Sequence, residues 1–308
     1  MTDKPAVLIV PPHLAPVGAF LESAYTVYRL WEGPPVEATR QIRAAVVAGD
    51  VAIPEAVWNL PQLGLLACFT AGYDAIDVPA ARARGLEVTH APNVNDQDVA
   101  DHALAMILAQ TRQLFAGDRA VRSGAWTANA RTLTGSMGGL RLGIVGLGGI
   151  GRALAERAQA CRMDVRWWGP RPKPDAPWPR AESLVALARD CDVLAVCCKA
   201  DDGNRGLISA EVIEALGSSG MLVNVSRGSV VDEDALIAAL KSGRLGAAGL
   251  DVFAAEPTPP ERWADVPNVI LTPHTAGATT AAVQRMVGML LANLDAYFAG
   301  RPVPTPAS

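Results

Sequence analysis

Six residues, Gly146-Leu147-Gly148-Gly149-Ile150-Gly151, restrict this chain more than any other segment. They form a G-x-G-x-x-G turn directly after an apolar run, Leu142 to Val145, and directly before an alanine-rich stretch, Arg152 to Ala160. A strand that ends in such a turn and feeds a helix is the first half of a βαβ unit. Gly146 permits the tight turn, Gly148 lets the backbone approach a pyrophosphate, and Gly151 lets the helix pack close to the strand. The helix N-terminus offers unsatisfied N–H groups to an anion, so the segment reads as a dinucleotide site. Glycine-rich turns also arise by chance; the strand before and the helix after set this one apart.

The rest of the chain agrees with such a unit. Short apolar runs at 6–10, 26–30, 64–68, 86–89, 142–146, 164–168, 193–198, 221–225, 248–253 and 269–271 alternate with alanine-rich helical stretches. Several runs are apolar on both faces, the pattern of parallel strands covered by helices on each side. The expected class is α/β, with two doubly wound parallel-sheet (Rossmann-like) domains; 308 residues suit two domains. One long helix is expected from about Asp98 to Arg122, stopping at Ser123-Gly124, and another over 279–299, ending at Gly300. The expected division is a discontinuous substrate domain of residues 1–98 and 275–308, and a dinucleotide-binding domain of 99–274. Segments crossing between them suggest closure that excludes water from the chemistry.

Composition excludes other classes. The net charge is -4 with no lysine- or arginine-rich run, so no nucleic-acid footprint is present. The apolar run Val7–Val10 meets Pro11-Pro12 after four residues, too short for a signal peptide or a membrane helix. Cys68, Cys161, Cys191, Cys197 and Cys198 are odd in number, lack a C-x-x-C spacing and mostly sit in apolar runs. They read as reduced core residues of a cytoplasmic protein, with no metal site expected.

The second strand of the βαβ unit decides between dinucleotides. An NAD site expects an acid about 20 residues past the glycine turn, at that strand's end. Here the strand ends Trp168-Gly169-Pro170-Arg171-Pro172-Lys173 with no acid in place. Arg171 and Lys173 put positive charge where a 2′-phosphate would sit, although a solvated basic turn would look the same. NADP is expected, with NAD possible.

Three later segments put ionisable residues just past strand ends: Arg227 after Leu222–Val225, Glu256 after Gly249–Phe253, and His274 in Leu271-Thr-Pro-His274. Ligands of open α/β sheets bind outside the carboxyl ends of the strands. Any one of these residues alone reads as structural; three together, downstream of a dinucleotide turn, read as a site.

The segments LGIVGLGGIGRALA, LVNVSRGSVVDEDALIAALKSGRLGAAGLDVFAAEP and LTPHTAG resemble the D-2-hydroxyacid dehydrogenase family over nearly the whole chain. With Val99-Ala-Asp-His-Ala and the basic turn, the likeness is to its glyoxylate/hydroxypyruvate reductases. The resemblance implies Arg227, Glu256 and His274 as the catalytic set: His274 as acid/base, Glu256 as its partner, and Arg227 as the clamp on the substrate's carboxylate and carbonyl. It implies Ala71, Gly72 and Gly277 as further substrate contacts. Gly72 also reads as an ordinary strand-to-helix turn glycine. For the cofactor it implies Val99, the turn residues Gly146, Gly148, Gly149, Ile150 and Gly151, then Arg171, Lys173, Lys199, Val225, Ser226, Asp251 and Ala276. Lys199 stands where the family often has proline, and Asn204 where threonine is usual.

The implied reaction is NADPH-dependent reduction of a small 2-keto acid. Bulkier keto acids, such as hydroxyphenylpyruvate or 2-ketogluconate, are the nearest alternative, and a dinucleotide-sensing corepressor of the same fold is a second. A homodimer is expected, with Trp126 and the segment 123–139 resembling a dimerisation loop. His13 reads as a surface residue, with a place overhanging the substrate as the alternative; His90 and His102 read as structural.

Overall fold

The computed structural model describes residues 4–129 and 132–308, which form two compact units. One comprises residues 4–95 and 280–308, the other 96–279 apart from the two undescribed positions.

The first unit is built on a five-stranded sheet: β1 (Ala6–Ile9), β2 (Thr26–Arg29), β3 (Ile42–Val47), β4 (Leu65–Cys68) and β5 (Glu87–Thr89). Its order is β2-β1-β3-β4-β5 and every pairing is parallel. The second unit carries β6 (Arg141–Val145), β7 (Asp164–Trp168), β8 (Val193–Val196), β9 (Met221–Asn224), β10 (Ala247–Leu250) and β11 (Val269–Leu271). These six are also all parallel, in the order β11-β10-β9-β8-β6-β7. Counted from its own first strand, the first sheet runs 2-1-3-4-5 and the second repeats that order with a sixth strand at its end, a doubly wound α/β arrangement. In such sheets the chain reverses direction of winding between the first and third strands and opens a crevice there.

The apolar runs become strands because both of their faces are covered. β1, β4, β8, β9 and β10 are buried at every position. On one face of the first sheet, Val7, Ile9, Leu65 and Ala67 pack with Ala282, Met286, Leu290 and Leu294 of the helix Thr280–Phe298. That helix belongs to the first unit although it lies at the far end of the sequence. In the second unit the helix Asp96–Thr111 buries Val99, Ala100, Ala103, Met106 and Ile107 against β6, β8 and β9.

Two elements differ from expectation. β3, a central strand, is absent from the runs identified in the sequence; its Ala44-Ala45 centre lacks the β-branched signature, yet the strand is almost wholly buried. The single helix expected over 98–122 is instead two, Asp96–Thr111 and Leu114–Arg122. Gln113 between them has φ +50°, a left-handed conformation that ends a helix. The Thr111 carbonyl is taken by the Gly135 N–H at 3.0 Å, and Arg112 Nε donates to Thr134 Oγ1 at 3.2 Å. The following helix, Leu114–Arg122, buries none of its residues. Among the described residues no helix is long and apolar enough to cross a membrane, and no histidine, cysteine or carboxylate cluster could hold a metal.

Candidate active site

At the switch point of the second sheet, β6 ends in the glycine turn and β8 ends in Cys197-Cys198. Gly146 has φ +92°, and a Cβ there would lie 2.5 Å from the Cys198 Cα. Only glycine fits on both counts. A Cβ on Gly151 would overlap the Gly146 carbonyl, which explains the last glycine as a helix–strand contact. Gly148 is different: its Cβ would meet nothing within 4 Å. The helix Gly149–Ala160 therefore begins behind an open space, and no side chain caps it. Its first N–H groups are uncapped donors beside that open space, so these residues fit a dinucleotide pyrophosphate.

One neighbour of the turn carried no sequence signal. The Asp96 carboxylate packs against the Gly149 backbone so closely that a Cβ on Gly149 would overlap it, and burial holds its pKa above the usual carboxylate value. Only the folded chain brings residues 96 and 149 together.

The basic turn follows β7. Arg171 is exposed, and among the described residues neither it nor Lys173 is ion-paired. The nearest acid in the sequence, Asp175, is engaged by Arg152 at 2.7 Å. Lys199 follows Cys198 at the surface, and its carbonyl accepts from Asn204 Nδ2 at 2.7 Å.

The three ionisable residues sit past β9, β10 and β11. Asn224, at the end of β9 and 1% exposed, shapes the turn that presents Arg227: its Oδ1 accepts the Ser226 N–H and its Nδ2 donates to the Arg227 carbonyl, both at 3.0 Å. The Ser226 hydroxyl donates to the Cys198 carbonyl, tying the β9 turn to the β8 turn. Gly228 must be glycine because a Cβ would overlap the Phe253 backbone.

Past β10, Asp251 is 1% exposed and accepts from Thr272 Oγ1 at 2.5 Å and from the N–H groups of Thr275 and Ala276, each at 2.9 Å. Its own carbonyl accepts the His274 N–H at 2.8 Å. This grip holds His274 at φ +53°, a conformation uncommon for non-glycine residues. His102 Nε2 reaches Thr272 Oγ1 at 2.9 Å and so joins the same network. Val99, Val225 and Ala276 are buried beside these turns, and Gly277 is partly exposed.

His274 Nδ1 lies 2.6 Å from Glu256 Oε2, while Glu256 Oε1 accepts the Phe253 N–H at 2.9 Å. The hydrogen bond to Glu256 raises the His274 pKa above the ordinary imidazole value; burial and the Arg227 charge oppose the rise without cancelling it. For Glu256, burial pushes the carboxyl up. The hydrogen bonds from His274 and Phe253, with the positive charges of His274 and Arg227, outweigh it and leave the pKa below its usual value. Arg227 thus lies close enough to act on both partners. With Nδ1 committed to Glu256, Nε2 is the nitrogen available to exchange a proton with a ligand.

In the first unit, Ala71 and Gly72 lie in the turn after β4. Among the described residues no acceptor takes the N–H of either. His13 is exposed in the short 3-10 helix after β1.

A parallel sheet with a dinucleotide cradle at its switch point and an imidazole–carboxylate pair at neighbouring strand ends defines a nicotinamide-dependent oxidoreductase. The comparisons with known proteins give the family. Residues 104–276 match the model of the D-isomer specific 2-hydroxyacid dehydrogenase NAD-binding domain. The chain is 38% identical over 292 residues to a glyoxylate/hydroxypyruvate reductase of Arabidopsis thaliana, covering 93% of each. Among solved structures, a 2-hydroxyacid dehydrogenase from Ketogulonicigenium vulgare Y25 superposes with TM-score 0.93 at 41% identity, over 100% of this chain and 99% of that one. The NADPH-dependent glyoxylate/hydroxypyruvate reductase of Sinorhizobium meliloti, solved with NADP and malonate, gives TM-score 0.90 at 33% identity, over 99% and 97%. The chain belongs to the D-2-hydroxyacid dehydrogenase family. It is an NAD(P)-dependent enzyme that interconverts 2-keto and 2-hydroxy acids.

Proposed function

We propose that this enzyme reduces a small 2-keto acid of the glyoxylate or hydroxypyruvate type, with NADPH preferred over NADH. The observation that carries the reading is the His274–Glu256 pair at 2.6 Å, with the imidazole pKa raised and the carboxyl pKa lowered. Bound reduced nicotinamide supplies a hydride to the substrate's carbonyl carbon. His274, as the imidazolium, delivers a proton from Nε2 to the keto oxygen, and Glu256 holds the ring in orientation and favours its charged form. Arg227 binds the substrate's carboxylate and polarises its carbonyl; a planar, permanently charged fork suits both. The Ala71 and Gly72 N–H groups bind the same carboxylate, and Gly277 borders the substrate.

Pyrophosphate is assigned to Gly146, Gly148, Gly149, Ile150 and Gly151, and the 2′-phosphate to Arg171 and Lys173. Lys199 borders the adenosine half; Val99, Val225, Ser226, Asp251 and Ala276 border the nicotinamide half. The unpaired basic turn supports NADPH, as does the NADP in the Sinorhizobium meliloti relative. The helix Leu114–Arg122, which buries none of its residues, with Leu114, Phe115, Val121 and then Trp126 and Leu133 open to solvent, supports a homodimer. Light scattering should give a dimer mass.

The functional test is the loss of absorbance at 340 nm with glyoxylate, hydroxypyruvate, hydroxyphenylpyruvate and 2-ketogluconate, each against NADPH and NADH. The highest kcat/KM is expected with NADPH and one of the two small acids. A preference for either bulky acid would overturn the substrate assignment, and faster turnover with NADH would overturn that of the cofactor.

A further inference from the structure

The turn after β4 presents three successive backbone carbonyls, and each is occupied. The Thr70 carbonyl accepts the Ala91 N–H at 3.1 Å, the Ala71 carbonyl accepts from His90 Nδ1 at 2.9 Å, and the Gly72 carbonyl accepts from the Thr70 hydroxyl at 2.8 Å. In a trans peptide the carbonyl and the following N–H point in opposite directions. Holding the Thr70 and Ala71 carbonyls on one side therefore turns the Ala71 and Gly72 N–H groups to the other. A main-chain bond fixes the first of these; among the described residues, only the His90 side chain fixes the second.

We propose that His90 is a positioning residue for the substrate: by gripping the Ala71 carbonyl, it aims the Gly72 N–H at the carboxylate. The proposal rests on the reading of Ala71 and Gly72 as carboxylate donors. A carbonyl only accepts, so His90 Nδ1 carries a proton whether the ring is neutral or charged. The ring is itself held. The His90 N–H donates to the Thr305 carbonyl at 3.2 Å, and its carbonyl accepts the Thr305 hydroxyl at 2.6 Å. Thr305 in turn pairs with Asn293, which is 1% exposed. Tyr73 packs edge-on against the imidazole with ring centroids 4.7 Å apart. Behind the turn there is no slack: the Gly49 N–H donates to Thr70 Oγ1 at 2.9 Å, and a Cβ on Gly49 would overlap the Gly72 carbonyl. A donor pre-aimed in this way needs no reordering when an anion arrives, and it discriminates carboxylate from a neutral group of the same shape.

The test uses glyoxylate, or whichever panel acid is turned over fastest, and its methyl ester, at saturating cofactor. His90→Phe keeps a ring against Tyr73 but has no donor. It should raise KM for the acid about tenfold, the scale of one hydrogen bond. KM for the ester, KM for the cofactor and kcat should stay within about twofold. His90→Asn, whose amide can reach the same carbonyl, should restore most of the loss. An equal rise for acid and ester, no rise at all, or no rescue by asparagine would each overturn the positioning role. Gly49→Ala, which must displace the Gly72 carbonyl, should also raise KM for the acid. If it does and His90→Phe does not, the positioning role alone fails. If Gly49→Ala has no effect, the carboxylate reading of the turn fails and takes the proposal with it. His90→Leu carries the same ratio should the phenylalanine variant not fold.

Discussion

The two units share one strand order and differ in what they place at its crevice. In the second unit the first strand, β6, ends in a glycine turn whose backbone is bare and open at Gly148. In the first unit the corresponding strand, β1, runs into Val10-Pro11-Pro12. Proline has no N–H and a fixed φ, so this end of the sheet cannot form a comparable phosphate cradle. In the first unit, the Ala71 and Gly72 N–H groups after the fourth strand have no acceptor among the described residues; a main-chain bond holds the first peptide and the His90 side chain the second. Sheet topology supplies a crevice in both places; loop chemistry decides what it accepts.

The largest expected effect tests whether proton chemistry resides in the second unit alone. His274→Ala should lower kcat by about a thousandfold, within the range for losing a general acid. Cofactor binding, read by fluorescence titration, should be unchanged; wild-type turnover would remove His274 from the mechanism. The pH profile gives the companion reading. Reduction needs protonated His274, so kcat should hold at low pH and fall as pH rises through a pKa above the ordinary imidazole value. Glu256→Gln removes the main cause of that rise and should move the break to lower pH. A break that does not move would dissociate the pair. The same shifts have a sign for stability. The His274 contribution is complete below its unfolded pKa and lost as pH rises through the raised folded one. The Glu256 contribution is present above its unfolded pKa and lost as pH falls through the lowered folded one.

A smaller effect separates a ligand-driven glycine from structural ones. Gly148→Ala adds a methyl to open space at φ -81°, so the melting temperature should stay near wild type. Affinity for the dinucleotide should fall by between ten- and a hundredfold as the pyrophosphate loses its close approach, while KM for the keto acid holds. A large drop in melting temperature would show that this glycine serves the fold instead. Smallest of the three, the double variant Arg171→Ala with Lys173→Ala should raise KM for NADPH about tenfold and leave NADH unaffected, because an exposed phosphate contact is partly screened. An equal change for both cofactors would mean the basic turn does not read the 2′-phosphate.

Strands covered on both faces were legible as continuous apolar runs, and the glycine turn and the Arg227, Glu256 and His274 segments were legible from their placement at strand ends. β3 was not, because alanines at its centre read equally well as helix. Gln113 gave no warning either: its left-handed turn lies beside Thr111 and Arg112, whose partners Gly135 and Thr134 stand beyond the next helix. Asp96 against Gly149 and His90 on Ala71 share a reason for being missed. Each pairs residues that meet only when a sheet assembles, and neither carries a local pattern.

The helix Thr280–Phe298 covers one face of the first sheet, yet residues 96–279 are synthesised before it. At about 5–20 residues per second, the apolar face made by β1 and β4 waits roughly 10–40 s on the ribosome for its cover. The second unit has its own sequence complete before that cover emerges. For this chain, order of manufacture and order of completion are reversed.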